Sequence, residues 1–271
     1  MVLVTARTVG IMGLGRMGLT LAAGFSRAVE PARLFVAGRS VSSIERVRAA
    51  VPTATVLPPA DLADRATLVV LCVRNVDLPD VLAVVRPRLS AEHIVVTINN
   101  ALPLSRLADS VPCPVAKLIP SVGNEIGAGA TLLMPGPGLS EDAVAELTEL
   151  LQGFSRPFVI DERQGRAATD LASCGPALLA SVAQSMIAAQ IERGAPLPPG
   201  LAEQLLAQSI DAVSRLLDHG TPLAEIVDRV AVPGGNTAAA VEASRDGLAA
   251  AWRAAFWATA DNERSKPLPA L

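Results

Sequence analysis

The chain has 271 residues, of which 51% are hydrophobic and 18% charged, and its formal net charge is −3 at pH 7. That length suits one nucleotide-sized domain and a smaller second one. With 3% aromatic residues and no basic stripe it argues against a nucleic-acid partner, and no apolar stretch reads as a membrane span, so no membrane partner is expected.

Residues Val9, Ile11 and Met12 form an apolar run that passes directly into Gly13, Gly15 and Gly18, a G-x-G-x-x-G spacing, and then into the apolar helical positions Leu19, Leu21, Ala22 and Phe25. Strand, tight turn and helix in that order make a dinucleotide-binding fingerprint. Gly13 permits the turn, Gly15 lets backbone approach a pyrophosphate, and Gly18 lets the helix pack close to the strand. The helix N-terminus adds free N–H groups and positive dipole. The second strand, from Arg33 to Ser40, ends on Gly38-Arg39-Ser40 with no acid. An NAD site usually places Asp or Glu there for the ribose hydroxyl. Arg39 and Ser40 instead suit a 2′-phosphate, so the expected cofactor is NADP(H) in preference to NAD(H). The alternative for Arg39 is a solvated arginine after a strand.

Farther along, 67–73, 93–98, 115–119, 131–134 and 158–160 read as strands, and 79–89, 104–109 and 140–151 as helix, with Ser140 as N-cap. After Asp161 strand signals vanish. Helical periodicity continues over about 166–174, 176–193, 199–218, 222–230 and 236–264, with Pro176 able to open one helix and Gly220 to close another. The expected fold class is therefore α/β: a Rossmann-type doubly wound sheet over 1–162, followed by an all-helical substrate and dimerisation domain over 163–271. So much apolar helix predicts a homodimer, with a higher homo-oligomer as an alternative.

Cys72, Cys113 and Cys174 are odd in number and lack C-x-x-C spacing, so neither a metal site nor a disulfide framework is expected. The first strand begins almost at once, leaving no room for a signal peptide, and a cytoplasmic location is expected. The chain has no Tyr, and its lysines are Lys117 in a strand and Lys266 near the end. His93 stands at a strand entrance, and His219 reads as a helix-terminus cation. The body of the helical domain thus holds no lysine, which tells against dehydrogenases that place a catalytic lysine there. Hydride transfer to a ketone usually needs a proton donor for the developing alkoxide, a role that a water chain or a carboxylate can also fill. A protonated imine becomes an amine without building negative charge, so a nicotinamide site lacking an obvious acid–base group fits imine reduction better.

With these elements placed, the chain resembles the pyrroline-5-carboxylate reductase family along nearly its whole length. Gly10-Ile-Met-Gly-Leu-Gly-Arg-Met-Gly18 is similar to its nucleotide fingerprint. Leu118-Ile-Pro-Ser121 and Ile126-Gly-Ala-Gly-Ala-Thr131 resemble its M-P-N…V-G-x-G-x-T segment. Asp161-Glu162 and Leu171-Ala-Ser-Cys-Gly-Pro-Ala177 resemble D-E…L-S-G-S-G-P-A, Arg229-Val-Ala-Val-Pro-Gly-Gly-Asn-Thr237 resembles the V-x-S-P-G-G-T-T loop, and Glu263-Arg-Ser-Lys266 matches the closing helix. The resemblance implies NAD(P)H-dependent reduction of 1-pyrroline-5-carboxylate to L-proline by an intertwined helical dimer. It implies cofactor contacts at Gly13, Gly15, Arg16, Met17, Gly18, Arg39, Ser40, Val73, Arg74, Pro120 and Ser121. It gives the substrate carboxylate to the amides of Gly234, Gly235 and Asn236, and the ring nitrogen to the Thr237 hydroxyl, with Cys174 beside the substrate as a small group in the place of a serine. A Pro-Gly-Gly turn leading into a helix also has the build of an anion nest. The family's asparagine is Ser121 here, its loop serine is Val232, its V-K-P is Val73-Arg-Asn75 and its A-A-G is Asn99-Asn-Ala101. These departures leave open a different cyclic imine, a carbonyl substrate, or a non-catalytic NADP-binding protein.

Overall fold

The computed structural model describes residues 7–194, 197, 198 and 200–271. Eight strands, β1 (Val9–Met12), β2 (Leu34–Ala37), β3 (Thr55–Val56), β4 (Leu68–Leu71), β5 (Ile94–Thr97), β6 (Val115–Ile119), β7 (Ala130–Pro135) and β8 (Arg156–Val159), form one sheet in the order β3-β2-β1-β4-β5-β6-β7-β8. Every pairing is parallel except β6 with β7, whose register sets Lys117 against Met134. The order reverses between β1 and β4. In doubly wound sheets ligands bind at such a switch point, outside the carboxyl ends of the strands.

Among the described residues, seven α-helices accompany the sheet: α1 (Arg16–Ala28), α2 (Val41–Ala50), α3 (Pro59–Arg65), α4 (Leu78–Val85), α5 (Leu104–Ala108), α6 (Glu141–Gln152) and α7 (Gly165–Ala172). The central strands read as unbroken apolar runs because both faces are covered. Val9 and Ile11 of β1 pack with Leu21 and Phe25 of α1 and Leu147 and Leu150 of α6. Met12 points the other way, into a cluster with Leu62 of α3 and Leu82 of α4. Phe25 meets Phe154 edge-to-face with ring centroids 5.0 Å apart. Burial of each such large side chain stabilises the fold by about 1.5–3 kcal/mol. The helix expected over 79–89 changes to a 3-10 turn at Arg86–Arg88, where Pro87 lacks the N–H that would continue the ladder.

By contacts the chain divides into two compact units. One runs to Pro176 and takes in Asn262–Leu271; the other is Ala177–Asp261. The first unit takes in α7, which stays with the sheet. Ala168 and Ala172 pack on the core face that holds Met134, and Thr169 and Asp170 are buried. Residues 262–271 return to the same unit, where Asn75 Nδ2 donates to the Pro267 carbonyl at 3.1 Å and Arg106 Nη2 to that of Pro269 at 3.2 Å.

The helices α8 (Gly175–Glu192), α9 (Leu201–Asp218), α10 (Leu223–Val230) and α11 (Asn236–Arg264) carry the second unit. Pro176 lies in the first turn of α8. Gly220, at φ 82°, follows α9; its N–H bonds the Leu217 carbonyl at 2.9 Å, and that of Thr221 bonds Leu216 at 2.9 Å, closing the helix. Among the described residues α9, α10 and α11 bury no side chain in the single chain, and Leu205, Leu223 and Trp257 stand exposed. The expectation that no segment reaches membrane-span length needs correcting. The run Glu162–Glu192 is long and apolar enough by length and composition, with a hydropathy of 1.4. Its many alanines raise the mean without a continuous row of large apolar side chains.

Candidate functional site

The glycine turn is built on steric demands that differ from one glycine to the next. Gly13 has φ +98°, and a Cβ there would lie 2.6 Å from the Cys72 carbonyl oxygen. Its N–H bonds the Ala37 carbonyl at 2.9 Å, tying the turn to β2. A Cβ on Gly18 would stand 1.9 Å from the Gly13 oxygen. Around Gly15, by contrast, a Cβ would meet nothing within 4 Å. Gly15 is the N-cap of α1, contributes no side-chain cap, and is followed by no acid in the first turn. The free N–H groups and positive dipole of that helix end therefore face open space that suits an anion.

That space belongs to a cavity of about 650 Å³ in the first unit, with Gly13, Gly15, Arg39, Ser40, Val73 and Arg74 among its lining residues. Six of the sequence-predicted positions are thus brought together. Arg46, Cys72, Asp77 and Asp80 join them, and the sequence reading had singled out none of these four for the cofactor. Burial pushes the Cys72 thiol up to about 12, so it stays protonated. The Ser40 hydroxyl caps α2, accepting from the Ser43 N–H at 3.3 Å. Asp77 bridges two arginines: Arg39 Nη1 donates to its Oδ1 at 2.9 Å, and Arg74 Nε donates to its Oδ2 at 2.7 Å. The Arg74 hydrogen bond, with Arg39 in support, holds the Asp77 carboxyl below its ordinary range against the opposing effect of burial.

Other predicted positions lie outside this lining. Arg16 is exposed and Met17 half-buried on the first turn of α1, while Gly18 is buried against Gly13. Pro120 and Ser121 are buried beyond β6. The Ser121 side chain accepts from the Gly123 N–H at 3.4 Å and so caps its own 3-10 turn. The Pro120 carbonyl accepts from the Ser173 hydroxyl at 2.8 Å, which sets Cys174 close to the end of β6.

Cys174 takes part in a polar chain that the sequence reading did not find. Lys117, buried in β6, donates to the Asn100 carbonyl at 2.9 Å and to Glu162 Oε1 at 2.8 Å. Asn100 Nδ2 donates to Glu263 Oε1 at 2.7 Å. Arg166 Nη1 donates to Glu263 Oε2 at 3.0 Å, and Nη2 to Asp170 Oδ1 at 2.6 Å and, weakly, to Cys174 Sγ at 3.7 Å. The spacing of Arg166, Asp170 and Cys174, four residues apart, was the available signal for part of this chain. His93 serves structure: its Nδ1 accepts from the Ser90 N–H at 3.0 Å, and Nε2 faces the Ala63 carbonyl at 3.2 Å.

In the second unit, Gly234 adopts φ +78° and the Gly235 N–H bonds the Val232 carbonyl at 2.9 Å. This turn delivers the chain into α11 at Asn236, with Thr237 exposed in its first turn.

Comparison with known proteins matches the chain in two parts. The family described as "Pyrroline-5-carboxylate reductase dimerisation" matches residues 162–266, which include the apolar run noted above. The family described as "NADP oxidoreductase coenzyme F420-dependent" matches residues 8–101. The chain is 28% identical over 244 residues to ComE operon protein 4 of Bacillus subtilis, covering 89% of each chain. It is 25% identical over 262 residues to pyrroline-5-carboxylate reductase of Corynebacterium melassecola, covering 94% of this chain and 96% of that one. In fold it is similar to a pyrroline-5-carboxylate reductase of Coxiella burnetii, with a TM-score of 0.85 at 19% identity, covering 97% and 100% of the two chains. It is likewise similar to the Plasmodium falciparum pyrroline carboxylate reductase solved with NADP bound, with a TM-score of 0.83 at 20% identity, covering 96% and 98%.

Proposed function

We propose that the chain is a member of the pyrroline-5-carboxylate reductase family and that it reduces a cyclic imine with NADPH, converting 1-pyrroline-5-carboxylate to L-proline. The observation that carries the cofactor part is the open space around Gly15 at an acid-free helix N-terminus, in one cavity with Arg39 and Arg74. A pyrophosphate fits the first and a 2′-phosphate the second. Arg16, Met17 and Gly18 shape that helix end, Ser40 and Val73 line the cavity, and Pro120 and Ser121 complete the cofactor side from β6. NADPH supplies a hydride when bound.

The residues of this chain have the remaining tasks. The amides of Gly234 and Asn236 hold the substrate carboxylate, the expected Gly235 N–H being engaged instead by the Val232 carbonyl inside the turn, and the Thr237 hydroxyl fixes the ring nitrogen. Cys174 fills the place of a small polar group near the substrate. The iminium carbon accepts the hydride and its nitrogen already carries the proton, so no side chain has to protonate an alkoxide. Lys117, the one lysine within the sheet, is engaged by Asn100 and Glu162, which supports imine over carbonyl reduction. The exposed apolar helices support a homodimer, which we place in the cytoplasm as part of the same proposal.

The departures at Ser121, Val232 and Cys174 favour one second reading, reduction of another cyclic imine. NADPH oxidation against a panel of five- and six-membered cyclic imino acids tests both. Turnover of the pyrroline acid is the expected result, and turnover of a different ring alone would replace it with the second reading. NADPH binding with no turnover on any ring would leave a non-catalytic nucleotide-binding protein.

A further inference from the structure

We propose that Asp77 is an internal competitor for the arginines of the cavity and so sets how strongly the protein prefers a 2′-phosphorylated dinucleotide. The proposal rests on the reading of the cavity as the dinucleotide site. Asp77 lies 38 residues from Arg39, yet it accepts from that guanidinium at 2.9 Å while also accepting from Arg74 Nε at 2.7 Å and Nη2 at 3.3 Å. The carboxylate is largely covered, at 24% exposure, whereas the arginine side chains are 81% and 70% exposed. In the free protein one carboxylate thus neutralises the two cations that a 2′-phosphate would seek.

Two effects of opposite sign follow. Asp77 gathers the guanidinium groups, which favours a preformed phosphate site. It also repels a dianion and holds donors that the dianion would use. The first effect is small, because ion pairs of exposed arginines do little to fix a side chain. The second is larger, because a carboxylate sharing its partners with a phosphate lies within a few ångströms of two negative charges. Competition therefore wins. NADH has no 2′-phosphate and is indifferent to Asp77, so the carboxylate narrows the gap between the two cofactors. Asp80 lines the same cavity with no bond to either arginine, which makes it the control for unspecific charge.

The test is calorimetric binding of NADPH, NADH and adenosine 2′,5′-bisphosphate to wild type, Asp77→Asn, Asp77→Ala and Asp80→Asn, with thermal melts to verify folding. Both Asp77 variants should bind NADPH and the bisphosphate roughly three- to tenfold more tightly, with NADH changed by less than about twofold and Asp80→Asn giving a smaller gain than either. Weaker NADPH binding in the Asp77 variants would make the residue an organiser of the arginines and overturn the proposal. An equal gain in Asp80→Asn would also overturn it, as would unchanged NADPH affinity in both Asp77 variants. Failure of wild type to bind NADPH or the bisphosphate at all would instead strike the dinucleotide reading beneath it.

Discussion

Arg166 Nη1 donates to Glu263 Oε2 at 3.0 Å, joining two residues 97 positions apart. Both are well covered, with side-chain exposures of 28% and 18%. Glu263 also accepts from Asn100, so a single carboxylate holds α7 and the loop after β5 to the segment 262–271. Glu263→Ala leaves the Arg166 charge short of a partner and should destabilise the protein by about 1–3 kcal/mol. Urea denaturation measures the loss, and limited proteolysis should cut first within 262–271. Unchanged stability and protease resistance would show that the bond holds nothing in place.

Gly15→Ala and Gly18→Ala should fail in different ways. Alanine at 18 drives a Cβ to 1.9 Å from backbone oxygen, whereas at 15 it meets no protein atom. Gly18→Ala should therefore lower the melting temperature. Gly15→Ala should melt like wild type but lose dinucleotide affinity, because its methyl occupies the ligand's space. Normal NADPH binding by Gly15→Ala would remove the phosphate from that helix end.

Arg39→Ala should weaken NADPH roughly tenfold or more and leave NADH nearly unchanged, the worth of one charge-assisted hydrogen bond of about 1.5–3 kcal/mol. Adding Arg74→Ala should deepen the loss. Equal effects on both cofactors would show that neither arginine reads the 2′-phosphate.

Thr237→Ala should cut kcat/KM for the imine roughly ten- to a hundredfold while NADPH binding persists, as expected for one hydrogen bond to the reacting ring. Thr237→Ser should restore most of it. Full activity in the alanine variant would reduce the loop to a turn and helix start.

Burial pushes Cys72 up to about 12 and Cys113 up to about 11. At pH 8 the native thiolate fraction at either site is on the order of a thousandth or less, against about a quarter for an ordinary cysteine. Alkylation of native protein should spare both, and unfolding should expose them. Because the folded state keeps protons that the unfolded chain releases above about pH 8.5, stability should fall from there as pH rises towards the raised values. Urea midpoints from pH 8 to 10 measure the slope, and rapid native labelling of Cys72, which lines the cavity, would contradict a thiol held protonated.

The glycine cradle was legible because its spacing is local: Gly13, Gly15 and Gly18 fall in one strand–turn–helix stretch, although Gly13 is also pressed by Cys72 and tied to Ala37. The central strands were legible because burial on both faces leaves unbroken apolar runs such as Leu68–Leu71. The edge strand Thr55–Val56 has two residues, too few to show any period, and α2 buries only Ser43 and Val47. Asp77 was hidden for a different reason. Its role depends on Arg39, 38 residues earlier, and only the crossing from β2 to the far side of β1 brings them together. Glu263 meets Asn100 across 163 residues, and no spacing rule reaches that far. Ser121 has a second task that no motif announced: its hydroxyl also accepts from the Gly123 N–H of the turn it begins.

The return of residues 262–271 to the first unit has a consequence for how the protein is made. Synthesis proceeds from the N-terminus, so the sheet and its glycine cradle emerge before α8, while Glu263, in the last turn of α11, and then Pro267 and Pro269 emerge last. The nucleotide-binding unit must therefore wait, with Asn75, Asn100 and Arg106 still facing water, until the ribosome has delivered the whole helical unit. Nascent chains arrested before residue 262 would hold the core of the first unit without its final clasp.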